Sequence, residues 1–497
     1  AKPRLAARLA WQQGQLTEAL RMLEGTRGRR ARRLRATLAA EQALLARPVA
    51  APQGRSMIMA SSGHIAPISG HDHELGSGGR ARRPAERVPG RVLHLVTDDL
   101  PTTSAGYTIR THEIAVAQRA AGLDPHVATR CGYPVTQGRL DGRRLVLLDG
   151  VPYHRLLPWL MPGRPGPKTA DLGLELAAGL TSRIRPAVLH AASNFANARL
   201  ALALRERYGL PVVYEVRGFW EDTWLSRHGD AERLASSELY QQNRDTETRC
   251  MLAADLVVAL GEAMREEIVA RGVGAEKILI VPNAVSAEFL RPLPDVTGLR
   301  AALGIGPDEY VVGVVSSLVP HEGIGTLLQA TAILRARGVP TRALIVGDGP
   351  ERAALQRQAA DIGLAGAAVF TGRVPAAKVR QFHALLDIFV VPRTSDRVCQ
   401  LVTPLKPVEA MASGLCVVTS QVKALTEIVK HEVTGRKQYR KIRCHLPTAL
   451  NACFTVRISE ENSETMPVNG CPGTGPGRAM RHGIETRTRV WGRLKGG

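Results

Sequence analysis

Hydrophobic positions follow two rhythms along this chain, and the points where the rhythm changes mark its organisation. Over residues 5–45 apolar side chains recur at spacings of three and four (Leu9, Leu16, Ala19, Leu20, Leu23), which is a helical period. A break at residues 25–30 precedes a second helix rich in Arg and Ala, so residues 1–48 read as a helical hairpin extension, either solvated or used for docking or a membrane surface. Residues 49–90 carry Gly, Ser, Pro, His and Arg without periodicity and read as a flexible, disordered linker. From residue 91 short apolar runs alternate with helical stretches. The runs at 91–97, 125–129, 144–148, 187–191, 211–216, 255–260 and 278–281 predict strands, with helices near 170–184, 195–207, 231–253 and 262–271. A second cycle predicts strands at 310–315, 342–346, 367–370, 387–391 and 415–419 and helices near 323–337, 350–362, 375–385 and 408–413. Strands that alternate with helices imply parallel sheets covered on both faces. The expected class is α/β, with two Rossmann-like domains at 91–285 and 286–435 facing a cleft. In open parallel sheets such a cleft collects ligand at the carboxyl ends of the strands.

Composition excludes several alternatives. The chain has 497 residues, 44% hydrophobic and 22% charged, with a mean hydropathy of -0.08, as in ordinary globular enzymes. No run of 18 apolar residues occurs and no signal peptide is read, so neither a membrane span nor export is expected. Seven scattered cysteines without metal-ligand spacing fit a reducing, cytoplasmic setting. The net charge of +21 suggests nucleic acid until its distribution is considered. Residues 1–90 contribute +10 and residues 436–497 contribute +8, so the body between them carries only +3. A basic nucleic-acid groove is therefore not expected. The charge belongs to the two ends, where six arginines within residues 27–35 could meet an anionic membrane face. His64, His71 and His73 fall in the linker and read as solvated rather than as a metal site.

The most informative stretch is VVPRTSDRVCQLVTPLKPVEAMASG at residues 390–414. A strand ends near Pro392, a loop carries Arg393, Thr403, Leu405 and Lys406, and a helix begins at Pro407 with Glu409 in its first turn. Free amides at a helix start attract anions such as a diphosphate, and Arg393 and Lys406 add full charge. Glu409 either accepts hydrogen bonds from ribose hydroxyls or only complements the helix dipole.

That stretch, with VVSSLVPHEG (314–323), SAGYTIRTHEIA (104–115), YEVRGFWED (214–222), ILIVPNAV (278–285) and LIVGDGP (344–350), resembles the family-4 retaining glycosyltransferases of GT-B fold. VTPLKPVEAMASG further resembles a branch associated with bacterial surface polysaccharides. The resemblance spans residues 91–435. It implies a nucleotide diphosphate sugar as donor, a carbohydrate or lipid-linked acceptor, no metal and no bound cofactor. Glu409 matches the second glutamate of the family's pair, while Leu401 stands where the first belongs. The family's basic pair on the diphosphate aligns with Ser317 and Glu322, which leaves Arg393 and Lys406 as the candidate replacements. Gly347 and Gly349 would let backbone approach the donor, as would Gly372, and Arg373 would lie near the base. Gly106 would present main-chain amides to the donor phosphate. Arg217 stands where many relatives carry a histidine, and as a permanent cation it would stabilise the leaving phosphate or orient sugar hydroxyls. Tyr107, Arg110, His190 and Glu221 complete the expected acceptor side, although His190 also reads as a packed strand residue.

After residue 435 the resemblance stops and a Pro-, Gly- and Arg-rich sequence follows. A reading-frame change near Arg436 and a divergent tail both account for it. The departures at Leu401, Ser317 and Glu322 keep two other functions open: a nucleotide-sugar epimerase of the same fold, and a non-catalytic nucleotide-binding protein.

Overall fold

The computed structural model describes residues 2–49, 57–59, 65–67, 86–100, 102–161 and 166–430. The linker histidines His64, His71 and His73 and the whole tail from residue 431, with its suggested frame change, lie outside the described residues. Within the linker, β1 (Met57–Met59) and β2 (Ile65–Pro67) pair antiparallel with each other.

Eight strands form the first sheet: β3 (Arg91–Val96), β4 (Asp124–Thr129), β5 (Leu145–Leu148), β6 (Val151–Arg155), β7 (Val188–Ala192), β8 (Val212–Glu215), β9 (Leu256–Ala259) and β10 (Ile278–Ile280). Their order is β10-β9-β8-β7-β3-β4-β6-β5, parallel except for the β5–β6 edge hairpin. The second sheet holds β11 (Tyr310–Val315), β12 (Thr341–Val346), β13 (Ala368–Gly372), β14 (Ile388–Val391) and β15 (Cys416–Thr419) in the order β13-β12-β11-β14-β15, parallel throughout. Central strands such as Val212–Glu215, Leu256–Ala259 and Ile388–Val391 are buried at every position, because helices cover both sheet faces. The strand order reverses between β3 and β7 in the first sheet and between β11 and β14 in the second. These two points open the crevices in which such sheets bind ligands.

The N-terminal segment is docked on the first Rossmann-like domain, one of the alternatives its helical period left open. Its three helices, Lys2–Gln12, Leu16–Arg21 and Arg29–Leu45, bury Leu16, Leu23, Leu38 and Leu45 together with Leu239 of the first Rossmann-like domain, against Phe195 and Trp224. Each leucine so buried contributes roughly 1.5–3 kcal/mol. Polar contacts fix the seat: the Leu239 amide donates to the Gly14 carbonyl at 2.8 Å, Thr17 donates through its amide and hydroxyl to Glu238, and the Arg199 guanidinium donates to the carbonyls of Leu44 and Arg47. The helical period over residues 5–45 shows only that one face is apolar. It does not show that Leu239 and Trp224 supply the surface to cover it.

Candidate active site

At the first crevice, β3 and β7 bring His94 and His190 into register, with their rings 4.6 Å apart. The neighbouring strand β8 ends on Glu215, which is wholly buried and accepts from Arg110 Nε at 2.6 Å, Arg217 Nη2 at 2.6 Å and, at 3.1 Å, His190 Nε2. Burial alone would raise the Glu215 carboxyl, but Arg217, His190 and Arg110 outweigh it and hold it well below the usual carboxylate range. Arg217 also donates through Nη1 to the Tyr107 carbonyl at 2.7 Å and the Thr111 hydroxyl at 2.6 Å. Its buried Nε is left without a partner among the described residues. Arg217 is thus anchored to the helix Gly106–Ala120 and aimed by Glu215.

That helix begins in the loop after β3, where the Thr108 hydroxyl accepts from the Ala105 amide at 3.0 Å. Its first residues, Gly106 and Tyr107, are exposed, and their amides lie where no helical carbonyl can reach. The Tyr107 hydroxyl donates to buried Asp98 at 2.7 Å.

Two residues expected on the acceptor side pair with other protein groups. Arg110 uses every nitrogen on protein acceptors: Glu215, the Val281 and Pro282 carbonyls and the Asn283 side chain. It ties β8 to the connection between the domains. Glu221, on the short helix Trp220–Leu225, is buried and pairs with Arg271 at 2.6 Å, whose guanidinium lies 4.2 Å from the Phe219 ring centroid. This is a core ion pair. Neither position is visible in sequence, because an arginine on a helix and a glutamate after a strand do not announce their partners.

The second crevice gathers the other candidates. Arg393 follows β14, and Lys406 opens the helix Lys406–Ala412. Both converge on buried Glu322, with Arg393 Nη2 at 3.0 Å and Lys406 Nζ at 3.3 Å from the same oxygen. Lys406 also donates to the Ser316 hydroxyl, and Arg393 Nη1 donates to the Val402 carbonyl at 2.9 Å. Glu409, one turn on, is half-buried and has no side-chain hydrogen-bond partner among the described residues. Burial pushes its carboxyl up to about 7, with Lys406 opposing the rise and Glu288 adding to it. Leu401 is buried and joins the core of the first domain. Ser317 is exposed.

Thr403 is buried and donates to the Leu260 carbonyl at 3.4 Å, and Leu405 caps the Lys406–Ala412 helix. The glycines have a local reason for being glycine. A Cβ on Gly347, at φ +140°, would lie 1.7 Å from the Ser316 carbonyl oxygen, and one on Gly349 would lie 2.3 Å from that of Leu318. They let the loops after β11 and β12 pack backbone to backbone. Arg373, just past β13, is exposed and carries no partner among the described residues.

The two crevices meet. Asn283 accepts from Arg110 and donates to the Thr403 carbonyl at 2.9 Å. A Cβ built on Gly218, next to Arg217, would touch Val402, whose carbonyl holds Arg393. The loop after β8 that carries Arg217 therefore packs beside the segment that holds Arg393. Among the described residues no group of three His, Cys, Asp or Glu is placed to hold a metal ion.

Sequence reasoning missed Glu215 as the hub of the first wall and took Glu322 only as a departure from a pattern. The signal for Glu215 was present: a lone carboxylate inside the apolar strand VVYEV is costly to bury unless several donors surround it.

Comparison with known proteins agrees with this architecture. Residues 105–284 match the profile of the glycosyl transferase 4-like domain, and residues 295–437 match that of the glycosyl transferases group 1. A GDP-mannose-dependent alpha-(1-6)-phosphatidylinositol monomannoside mannosyltransferase of Mycolicibacterium smegmatis is 36% identical over 158 residues, 31% of this chain and 41% of that protein. A D-inositol 3-phosphate glycosyltransferase of Nocardia farcinica is 26% identical over 373 residues, 70% of this chain and 78% of its own length. The chain thus spans less than half of the mannosyltransferase. Among solved structures, HepE of Anabaena in complex with UDP-glucose superposes with a TM-score of 0.52 at 19% identity, covering 75% of this chain and 90% of that one. Starch synthase IV of Arabidopsis thaliana gives 0.53 at 14% identity, with 75% and 92% covered. With both sheets, both crevices and both profiles in sequence order, the chain matches a glycosyl transferase 4-like domain followed by a glycosyl transferases group 1 domain, in a fold shared with these solved structures.

Proposed function

We propose that this chain transfers a hexose from a nucleoside diphosphate sugar to a carbohydrate or lipid-linked acceptor, with retention of configuration and without a metal. The observation that carries this reading is the convergence of Arg393 and Lys406 on Glu322 in the β11–β14 crevice, with Glu409 one turn further along the Lys406–Ala412 helix. The donor diphosphate lies against Arg393 and Lys406, its ribose against Glu409, and Arg373 flanks the base. Charge develops on the leaving phosphate as the sugar bond breaks, and the preorganised cations and amides stabilise it at no reorganisation cost. The walls orient donor and acceptor, so no enzymatic nucleophile is required. Tyr107 and His190 are the acceptor-side contacts that remain, since Arg110 and Glu221 are committed to the scaffold.

The named relatives act on inositol-containing and phosphatidylinositol-linked acceptors, which supports a glycolipid or polysaccharide acceptor met at the cytoplasmic face of a membrane. No helix among the described residues is long and apolar enough to cross one. The contact would be peripheral, through the basic ends. Nothing in the comparisons favours an epimerase or a non-catalytic protein. The test is a panel of UDP-, GDP- and ADP-sugars with lipid-linked and soluble acceptors, with and without EDTA. Transfer that resists EDTA and keeps the donor's anomeric configuration is the expected result. Interconversion of the donor sugars without transfer would replace this reading with the epimerase.

A further inference from the structure

We propose that Glu322 is a positioning residue of the donor crevice, setting both phosphate-facing cations, so that nucleoside diphosphate binding depends on this anion. The proposal rests on the donor reading above. Its basis is geometric. The turn Pro320–Glu322 is closed by Gly323 at φ +64°, where a Cβ would fall 1.9 Å from the Pro392 carbonyl oxygen. Only glycine lets this turn lie against the end of β14, and that contact places Glu322 inside the β11–β14 crevice. There one carboxylate oxygen receives both Arg393 and Lys406, at 3.0 and 3.3 Å.

Each cation is thereby held at two points. Lys406 is fixed by Glu322 and the Ser316 hydroxyl, and Arg393 by Glu322 and the Val402 carbonyl. A donor remains for a ligand: the part-exposed Lys406 ammonium has a third hydrogen. The carboxylate is buried among cations that hold it well below the usual carboxylate range in spite of its burial, so it stays ionised. Without it, two like charges meeting at one point would swing apart into solvent. A diphosphate would then meet more net charge but no prearranged donors.

This logic fixes an unusual sign. Removing a negative charge from an anion site should weaken anion binding. The probe is uridine or guanosine diphosphate, whichever the wild-type protein binds, set against the matching nucleoside. Glu322→Gln should weaken diphosphate binding about tenfold, the scale of one charged hydrogen bond, and leave the nucleoside unaffected. Glu322→Asp keeps the charge but not the reach and should lose about threefold, so the test survives if the Gln variant folds poorly. Tighter or unchanged diphosphate binding, or an equal change for nucleoside and diphosphate, would overturn the proposal by showing a mere counter-charge or a general structural role. Lys406→Ala and Arg393→Ala separate the two levels. If neither alters diphosphate affinity, the donor reading itself fails; if both weaken it while Glu322→Gln and Glu322→Asp do not, only the role of Glu322 fails.

Discussion

Lys406 and Glu409 share one turn of helix, and their opposite assignments in the donor crevice make opposite demands on the solvent. Lys406 and Arg393 already share an anion in Glu322, so removing either cation leaves the other paired and the crevice locally neutral. Lys406→Ala and Arg393→Ala should therefore each weaken nucleoside diphosphate binding by about 1.5–3 kcal/mol in titration calorimetry, and affinity equal to wild type in both would remove them from the donor site. Glu409 has no such partner. Its carboxyl is pushed up to about 7 by burial, so the folded protein holds a proton there that the unfolded chain releases near pH 4.5. An acid raised in this way makes the folded state less stable as pH climbs from about 4.5 through 7, with the loss complete above the folded value. Glu409→Gln should remove that part of the decline, and the variant should melt higher than wild type at pH 8. Ribose hydroxyls prefer the ionised carboxylate, so wild-type binding of a nucleoside diphosphate sugar, whose diphosphate does not titrate in this range, should tighten between pH 6 and 8 while that of the variant stays flat. A flat wild-type profile would reduce Glu409 to a dipole complement.

At the scale of elements, the sequence is most legible where one interaction dominates. Strands such as Leu256–Ala259 and Ile388–Val391 are apolar at every position and buried on both faces, and their positions follow from hydropathy alone. β6 does not show itself, since VPYHR mixes Pro152, His154 and Arg155 into an edge hairpin whose burial merely alternates. Short helices such as Trp220–Leu225, Arg397–Leu401 and Lys423–Thr426 are equally silent, being a turn or two held by tertiary contacts rather than by their own periodicity. The same divide runs through the site. The Arg393–Glu409 loop stands out in sequence because several chemistry-bearing residues are adjacent in the chain. Which arginine faces a ligand depends on partners 50 to 173 residues away, as the Glu221–Arg271 pair and the Arg110 contacts to Pro282 and Asn283 show.

The N-terminal helices depend on such a distant contact at Gly14. This residue sits at φ +73°, and a Cβ there would lie 2.2 Å from the Ser237 hydroxyl and 2.6 Å from its Cβ. Gly14→Ala should then loosen the docked helices by about 1–3 kcal/mol, combining left-handed strain with the overlap. Faster amide exchange across residues 16–45, with β8 and β9 unchanged, is the expected signature; unchanged exchange in the helices would mean that the segment seats without this contact.

For the whole molecule, the question is how a nearly neutral body with basic ends meets its acceptor. The two domains are latched by side chains of the second reaching into the first: Arg397 to Asp222 and Glu267, Lys423 to Glu266, and Glu427 onto the amides that open the helix Glu262–Ala270. These contacts join the walls of the cleft and leave the long helix Arg29–Leu45 free on its outer face. Arg29, Arg30 and Arg32 are exposed there and Arg35 is exposed beside the buried Ala31 and Leu38. Basic residues near an anionic bilayer contribute about 1 kcal/mol each, an attraction that salt screens. Cutting the segment away would be a poor test, because it would bare Leu239, Phe195 and Trp224 and confuse lost anchoring with lost packing. Replacing Arg29, Arg30, Arg32 and Arg35 with glutamate changes the charge and keeps the buried face. That variant should lose most of its salt-sensitive binding to vesicles containing phosphatidylglycerol. Its melting temperature and its turnover of a soluble acceptor should stay near wild type. Sedimentation with vesicles that is unaltered by the four substitutions would leave these arginines without a membrane role and shift the search to the basic residues beyond position 435.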